Sequence, residues 1–197
     1  MKRVSKGYYL LTVIVSAVAT VVTAVVSMIT TVRTVHTLIT AGGQVNPAAA
    51  QAMVSRSFLT TGIMAPFALW AIISIMILYY KMWDAIQDGN ARTTPGKAVG
   101  FLFIPFFNFY WIFVAIYGFA KDYNAYLVRH SLNSPKLAEG LFLTMCIVPF
   151  GMIIPVVGWF AFVAAVVILL IVVAKICDAV NALPPATAAA TPIATPV

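Results

Sequence analysis

Chemistry in a polypeptide needs ionisable or nucleophilic groups held close together, and this chain offers few. Its acids are Asp84, Asp88, Asp122, Glu139 and Asp178, and its cysteines are Cys146 and Cys177. Acid–base catalysis inside an apolar protein would call for ionisable groups within the apolar stretches, where they are costly to keep. All five acids fall instead at predicted helix ends or in loops. The cysteines have no CxxC spacing and no His or Asp at ligand distance, so they read as small core residues. No Ser/His/Asp or Cys/His arrangement has an interpretable spacing, and Gly42-Gly43 lacks the Lys-Ser/Thr that would complete a phosphate loop. The expectation is therefore a protein that is not an enzyme, with no catalytic residues, no metal site and no cofactor.

Two other features remain. Three apolar segments finish on one short pattern: Lys81 with Asp84, Lys121 with Asn124, and Lys175 with Asp178. A lysine there complements the negative end of a helix dipole, whereas an aspartate opposes it, so Asp84 and Asp178 call for partners beyond their own helices. These six residues are candidate docking ends. The second feature is Asn108, which follows Pro105 in a stretch with ten aromatics between Phe101 and Phe119. It either caps a broken helix or lines a small cavity.

The elements that carry these residues follow from composition. With 62% hydrophobic and 9% charged residues and a mean hydropathy of +1.00, the chain departs far from the soluble pattern. The reading is an all-α integral membrane protein, one polytopic domain over 1–183 with an Ala/Thr/Pro-rich tail over 184–197. Four spans are predicted, at about 8–33, 58–81, 137–155 and 158–178. Ala17-Val18-Ala19 resembles a signal-peptidase site, but the apolar run around it exceeds a signal core, so it is read as a first span. Ala41-Gly42-Gly43 is expected to end that helix and Asn46-Pro47 to start the next. The aromatic segment 98–120, broken by Pro105, either crosses or dips in and returns. A turn near residues 154–158 separates the last two spans.

Thr12, Ser16, Thr20, Thr23, Ser27, Thr30, Thr34 and Thr37 recur at steps of three and four, which places a hydroxyl stripe on one face of the first helix. Such a face lets helices approach closely and hydrogen-bond across the contact, and a polar pathway is the sharper alternative. The charge of +7 fits orientation in the membrane and anionic headgroups better than nucleic acid, for which there is no basic run. A dipping third segment puts ten basic residues on the cytoplasmic side against Arg33 and Arg56 outside, whereas a crossing one splits them seven to five. The positive-inside rule selects the first arrangement, with both termini cytoplasmic in a bacterial inner membrane. His36 and His130 then lie on opposite sides, too far apart to share a ligand.

The stretch Thr94-Pro95-Gly96-Lys97-Ala98-Val99-Gly100, continuing through Pro105 and Asn108 to Trp111, resembles a bacterial membrane family known only as domain of unknown function number four-three-two-eight. Pro95, Gly96, Gly100, Pro105 and Asn108 fall on its pattern. Family members tend to follow the Asn with polar, Arg-containing sequence, where this chain continues Phe109-Tyr110-Trp111. The resemblance implies a bacterial multi-pass membrane protein and supplies no activity. The functional expectation is an accessory or scaffold subunit packed along Thr12, Ser16, Thr20, Thr23 and Ser27. Its partners would be membrane lipids and other membrane subunits or further copies of itself. A small channel or transporter is the alternative.

Overall fold

The computed structural model describes residues 3–40 and 47–184. The expected helix end at Ala41-Gly42-Gly43, the Asn46 cap and the tail from Pro185 lie outside them. Among the described residues every regular element is helical: α1 (Lys6–Thr40), α2 (Pro47–Asp84), α3 (Pro95–Gly100), α4 (Phe107–Ile112), α5 (Gly118–Arg129), α6 (Glu139–Ile147) and α7 (Pro155–Ala182). Three stretches, Lys6–Thr37, Ala65–Asp84 and Val157–Ala182, are long and apolar enough to cross a membrane.

The fourth expected span does not reach that length. Residues 137–155 yield the nine-residue α6 and a 3-10 stretch, Val148–Ile153, begun by the Val148-Pro149 pair. Pro149 has no N–H to continue the α-helical ladder, and Pro155 then opens α7 as its first residue. The turn therefore centres on Ile154, at the start of the expected 154–158 region. Gly158 suits this fold-back, because a Cβ there would stand 3.1 Å from the Met152 carbonyl oxygen, a tight contact.

The chain divides into two compact units, 1–10 with 75–197, and 11–74. The larger has a dense core of Leu78, Met82, Trp83, Phe119, Tyr123, Phe142, Val172 and Ile176, all fully buried. Trp83 packs edge-on to Phe119 and donates its indole N–H to the Ala115 carbonyl at 2.9 Å. The Asn124 side chain works as a backbone substitute: it accepts from Leu137 N–H at 2.8 Å and donates to Leu137 C=O at 2.9 Å. Asn181 does the same for Val4, at 2.8 and 2.9 Å, so residues 4–6 lie beside the end of α7. The smaller unit consists of the long runs of α1 and α2, whose apolar side chains are mostly exposed.

Asn124→Leu removes both bonds and leaves two backbone groups of a half-buried loop unpaired. It should lower stability by about 1–3 kcal/mol, read as the thermal midpoint in detergent. Asn133→Ala, exposed on the same loop, should change stability by less than about 0.5 kcal/mol.

Candidate functional site: an aromatic hairpin on a polar base

The aromatic segment folds back on itself. Thr94 caps α3 by accepting from Lys97 N–H, Pro95 sits at the first helical position, and a 3-10 turn, Phe101–Phe103, follows. The chain then reverses over Ile104-Pro105-Phe106 and returns through α4, a π-helical turn over Phe113–Tyr117, and α5. Trp111 bonds across the two arms to the Ala98 carbonyl at 3.1 Å, and Phe101 packs on Trp111 with ring centres 4.8 Å apart. The six residues of α3 and the three of the 3-10 turn amount to about 15 Å of rise. That is roughly half of a hydrocarbon core of about 30 Å.

The reversal is strained. Phe106 has φ 63 and ψ −41, and Phe107 N–H bonds to the Pro105 carbonyl at 2.7 Å, which together make a γ-turn of the disfavoured positive-φ kind. Phe106 is 85% exposed at the tip. Asn108 does not cap the returning helix, because the cap position is Phe106 and no side chain bonds there. Its backbone N–H reaches the Ile104 carbonyl at 3.0 Å, while its side-chain Oδ1 is enclosed without a donor. Pro95, Gly96 and Gly100 belong to the entering arm and Pro105 to the tip, so the five residues of the sequence pattern build this one hairpin.

Beneath it, helix ends of the larger unit are tied by polar contacts, here called the polar base. Arg92 donates to Asp122 through its backbone N–H, Nε and Nη2, at 2.9, 2.9 and 2.6 Å. Gly118 leaves room for that guanidinium, since a Cβ there would stand 3.2 Å from it. The hydrogen bonds to Asp122 raise the Arg92 pKa above its usual value. Asp88 accepts from Arg129 at 2.8 Å and lies 3.2 Å from His130 Nε2. It also turns the loop by accepting from Asn90 N–H, with Gly89 at φ 85 supplying the left-handed residue. Lys6 pairs with Asp178 at 2.8 Å, Lys81 reaches the Tyr9 hydroxyl at 3.4 Å, and Tyr123 donates to the Ala179 carbonyl at 3.3 Å.

These contacts redistribute the candidate docking ends. Asp178 and Lys81 are engaged by α1, Asn124 by Leu137 and Glu139, and Lys121 lies over the Tyr117 ring at 4.7 Å. Asp84 and Lys175 are exposed and carry no ion pair among the described residues. Asp88, Arg92, Asp122, Arg129 and Asn181 escaped sequence reasoning as partners. Their separations of 30, 41 and 177 residues give no local signal, and only their common side was legible.

In the smaller unit the hydroxyl stripe lines an open groove of about 330 Å³ with Ser16, Ala19, Thr20, Thr23, Ala24, Phe67 and Ala68. The hydroxyls bond differently from expectation. Ser16, Thr20, Thr23, Thr30, Thr34 and Thr37 each donate to a carbonyl three or four residues back on α1 itself, at 2.8–3.0 Å. The stripe thus presents methyl and methylene groups with its polarity already satisfied. Thr12 is buried, and Ser27 is exposed with its carbonyl accepting from Thr30 and Thr31.

Among the described residues no three His, Cys, Asp or Glu side chains gather as metal ligands, and Cys146 and Cys177 are buried and free. Comparison with family models, curated proteins and solved structures finds no match.

Desolvation pushes the Asp88 carboxyl up, but hydrogen bonds from Asn90 N–H, Arg129 and His130 and the Arg129 charge outweigh it, holding the pKa at about 2. A depressed carboxylate contributes stability that is complete above its unfolded pKa near 4 and is lost as pH falls toward about 2. Wild type should exceed Asp88→Asn by about 1 kcal/mol at pH 6, after allowance for solvent screening. The gap should close by about pH 2, measured as thermal midpoints in detergent.

Proposed function

We propose that this chain is a non-catalytic, multi-pass protein of a bacterial inner membrane that acts by association, as an accessory or scaffold subunit. The observation that carries this reading is the groove on α1 and α2. Small residues allow close helix approach, and hydroxyls already bonded to their own backbone remove the desolvation cost of burying them against another helix. The long apolar runs around the groove, including Val18, Val22, Val25, Phe67 and Leu69, are exposed on both helices. Asp84, exposed and without an ion pair among the described residues, supplies a charged point for a partner's polar segment. The likeness of residues 94–111 to the bacterial family of unknown function belongs to the same reading.

The proposed topology has α1 and α2 as full crossings, the aromatic segment entering and returning, and the α6 arm with α7 as a closing hairpin that turns at Ile154 and comes back to the same side. Its support is the half-depth entering arm of the hairpin and the contacts that bring residues 4–6, Lys81, Arg92, Asp122, Glu139 and Asp178 into one polar base. With that base in the cytoplasm, nearly all lysines and arginines of the larger unit face inward.

One observation favours a second reading as a small channel or transporter. Asn108 places an enclosed, unpaired acceptor within a broken hairpin, and such an oxygen is the kind of group that contacts a passing solute or ion.

Gentle extraction from native membranes, with native mass measurement and identification of what co-purifies, separates the two. Association predicts a stoichiometric partner or a defined oligomer, and recovery of monomer alone under crosslinking would sink it. Transport predicts liposome flux that Asn108→Leu abolishes. Under the association reading the same substitution instead raises the thermal midpoint, worth about 1–3 kcal/mol, by removing the unpaired acceptor.

A further inference from the structure

The ion pairs of the polar base consume its charges unequally. The described residues of the larger unit carry nine cations, Arg3, Lys6, Lys81, Arg92, Lys97, Lys121, Arg129, Lys136 and Lys175, against five acids. Three pairs, Lys6–Asp178, Arg92–Asp122 and Arg129–Asp88, remove three of each. Of the two acids left, Asp84 is exposed, and Glu139 is hydrogen-bonded by Asn124. Six cations remain, and four of them, Lys97, Lys121, Lys136 and Lys175, are exposed lysines without an ion pair among the described residues. Glu139 lies within electrostatic reach of Lys121, as does Arg92 with the opposite effect.

The placement of the four is informative. Lys97 stands on the entering arm of the aromatic hairpin and Lys121 on its returning helix, where its ammonium rests on the Tyr117 ring. Lys136 lies on the loop clamped by Asn124, and Lys175 follows the apolar run of α7. Each sits where an apolar helix or arm meets the polar base. A lysine at such a level extends its stem along apolar surface and its ammonium toward headgroups. Near an anionic bilayer surface each is drawn toward the headgroup phosphates.

We infer that the polar base is a binding face for the headgroups of anionic phospholipids, with Lys97, Lys121, Lys136 and Lys175 as the cations that contact them. The ion-paired Arg92, Arg129 and Lys6 serve the fold, and the four lysines serve the lipid. This inference rests on the chain lying in a bilayer and is separate from the association proposed above, whose readout is a protein partner.

The test uses the full chain in detergent with added phosphatidylglycerol or phosphatidylcholine, read by native mass for retained lipid and by the thermal midpoint. The wild type should retain phosphatidylglycerol about tenfold over phosphatidylcholine, a difference of about 1.4 kcal/mol. Replacing all four lysines with Gln should bring the ratio to within about twofold, and replacing all four with Arg should preserve it, since charge is what binds. Equal retention of the two lipids by the wild type would overturn the inference. So would a Gln variant with its preference intact, or an Arg variant that loses it. Inorganic phosphate raising the midpoint as much as phosphatidylglycerol would overturn the lipid as the source.

Discussion

A backbone amide that meets no water must meet another protein group, and that constraint governs how this chain is built. At Pro105 and at Pro149, where proline removes an N–H, a device that restores the pairing follows. After Pro105 the ladder is rebuilt within four residues, through Phe107 to Pro105 and Asn108 to Ile104. After Pro149 a 3-10 stretch keeps the chain bonded until Pro155 starts a new helix. Asn124 and Asn181 extend the same logic to extended chain, since each primary amide imitates a peptide group and satisfies both polar atoms of one residue. The cost surfaces at the hairpin tip, where positive φ at Phe106 and the unpaired Asn108 oxygen stand two residues apart.

Charge plays a different part at each depth. Fixed ion pairs occupy the polar base, where half-exposed Arg92 and Arg129 hold well-covered carboxylates at 12% and 10% exposure. Partly covered carboxylates with several donors make stronger contacts than open surface pairs. They fasten the loop after α2 to α5, and so hold the mouth of the hairpin. Most lysines, with compact and strongly hydrated heads, are left on the perimeter. Two of the lysine-and-acid helix ends that looked like docking points share in this internal work, which narrows the free charged ends to Asp84 and Lys175.

The hydroxyl stripe shows the same economy in the smaller unit. A threonine whose hydroxyl bonds four residues back along its own helix is, from outside, close to a valine. Its value to a neighbour lies in shape and closeness of approach rather than in hydrogen bonds across the contact.

The sequence by itself determined the helical class, the long apolar runs and the breaks. Apolar run length, proline and glycine act within a few residues, so α1, the end of α2 near its Lys81–Asp84 pattern and the interruption at Pro105 were legible there. What only the tertiary structure decided were the partners of those breaks and charges. The close approach of Gly158 to Met152 after the Pro149 break, and the bond from Trp111 to Ala98 across the arms of 98–120, are such pairings. Arg92 finds Asp122, and Asn181 finds Val4, across separations at which sequence holds no distance information. A hydroxyl's choice between its own helix and a neighbour is set by a rotamer, which spacing alone does not fix.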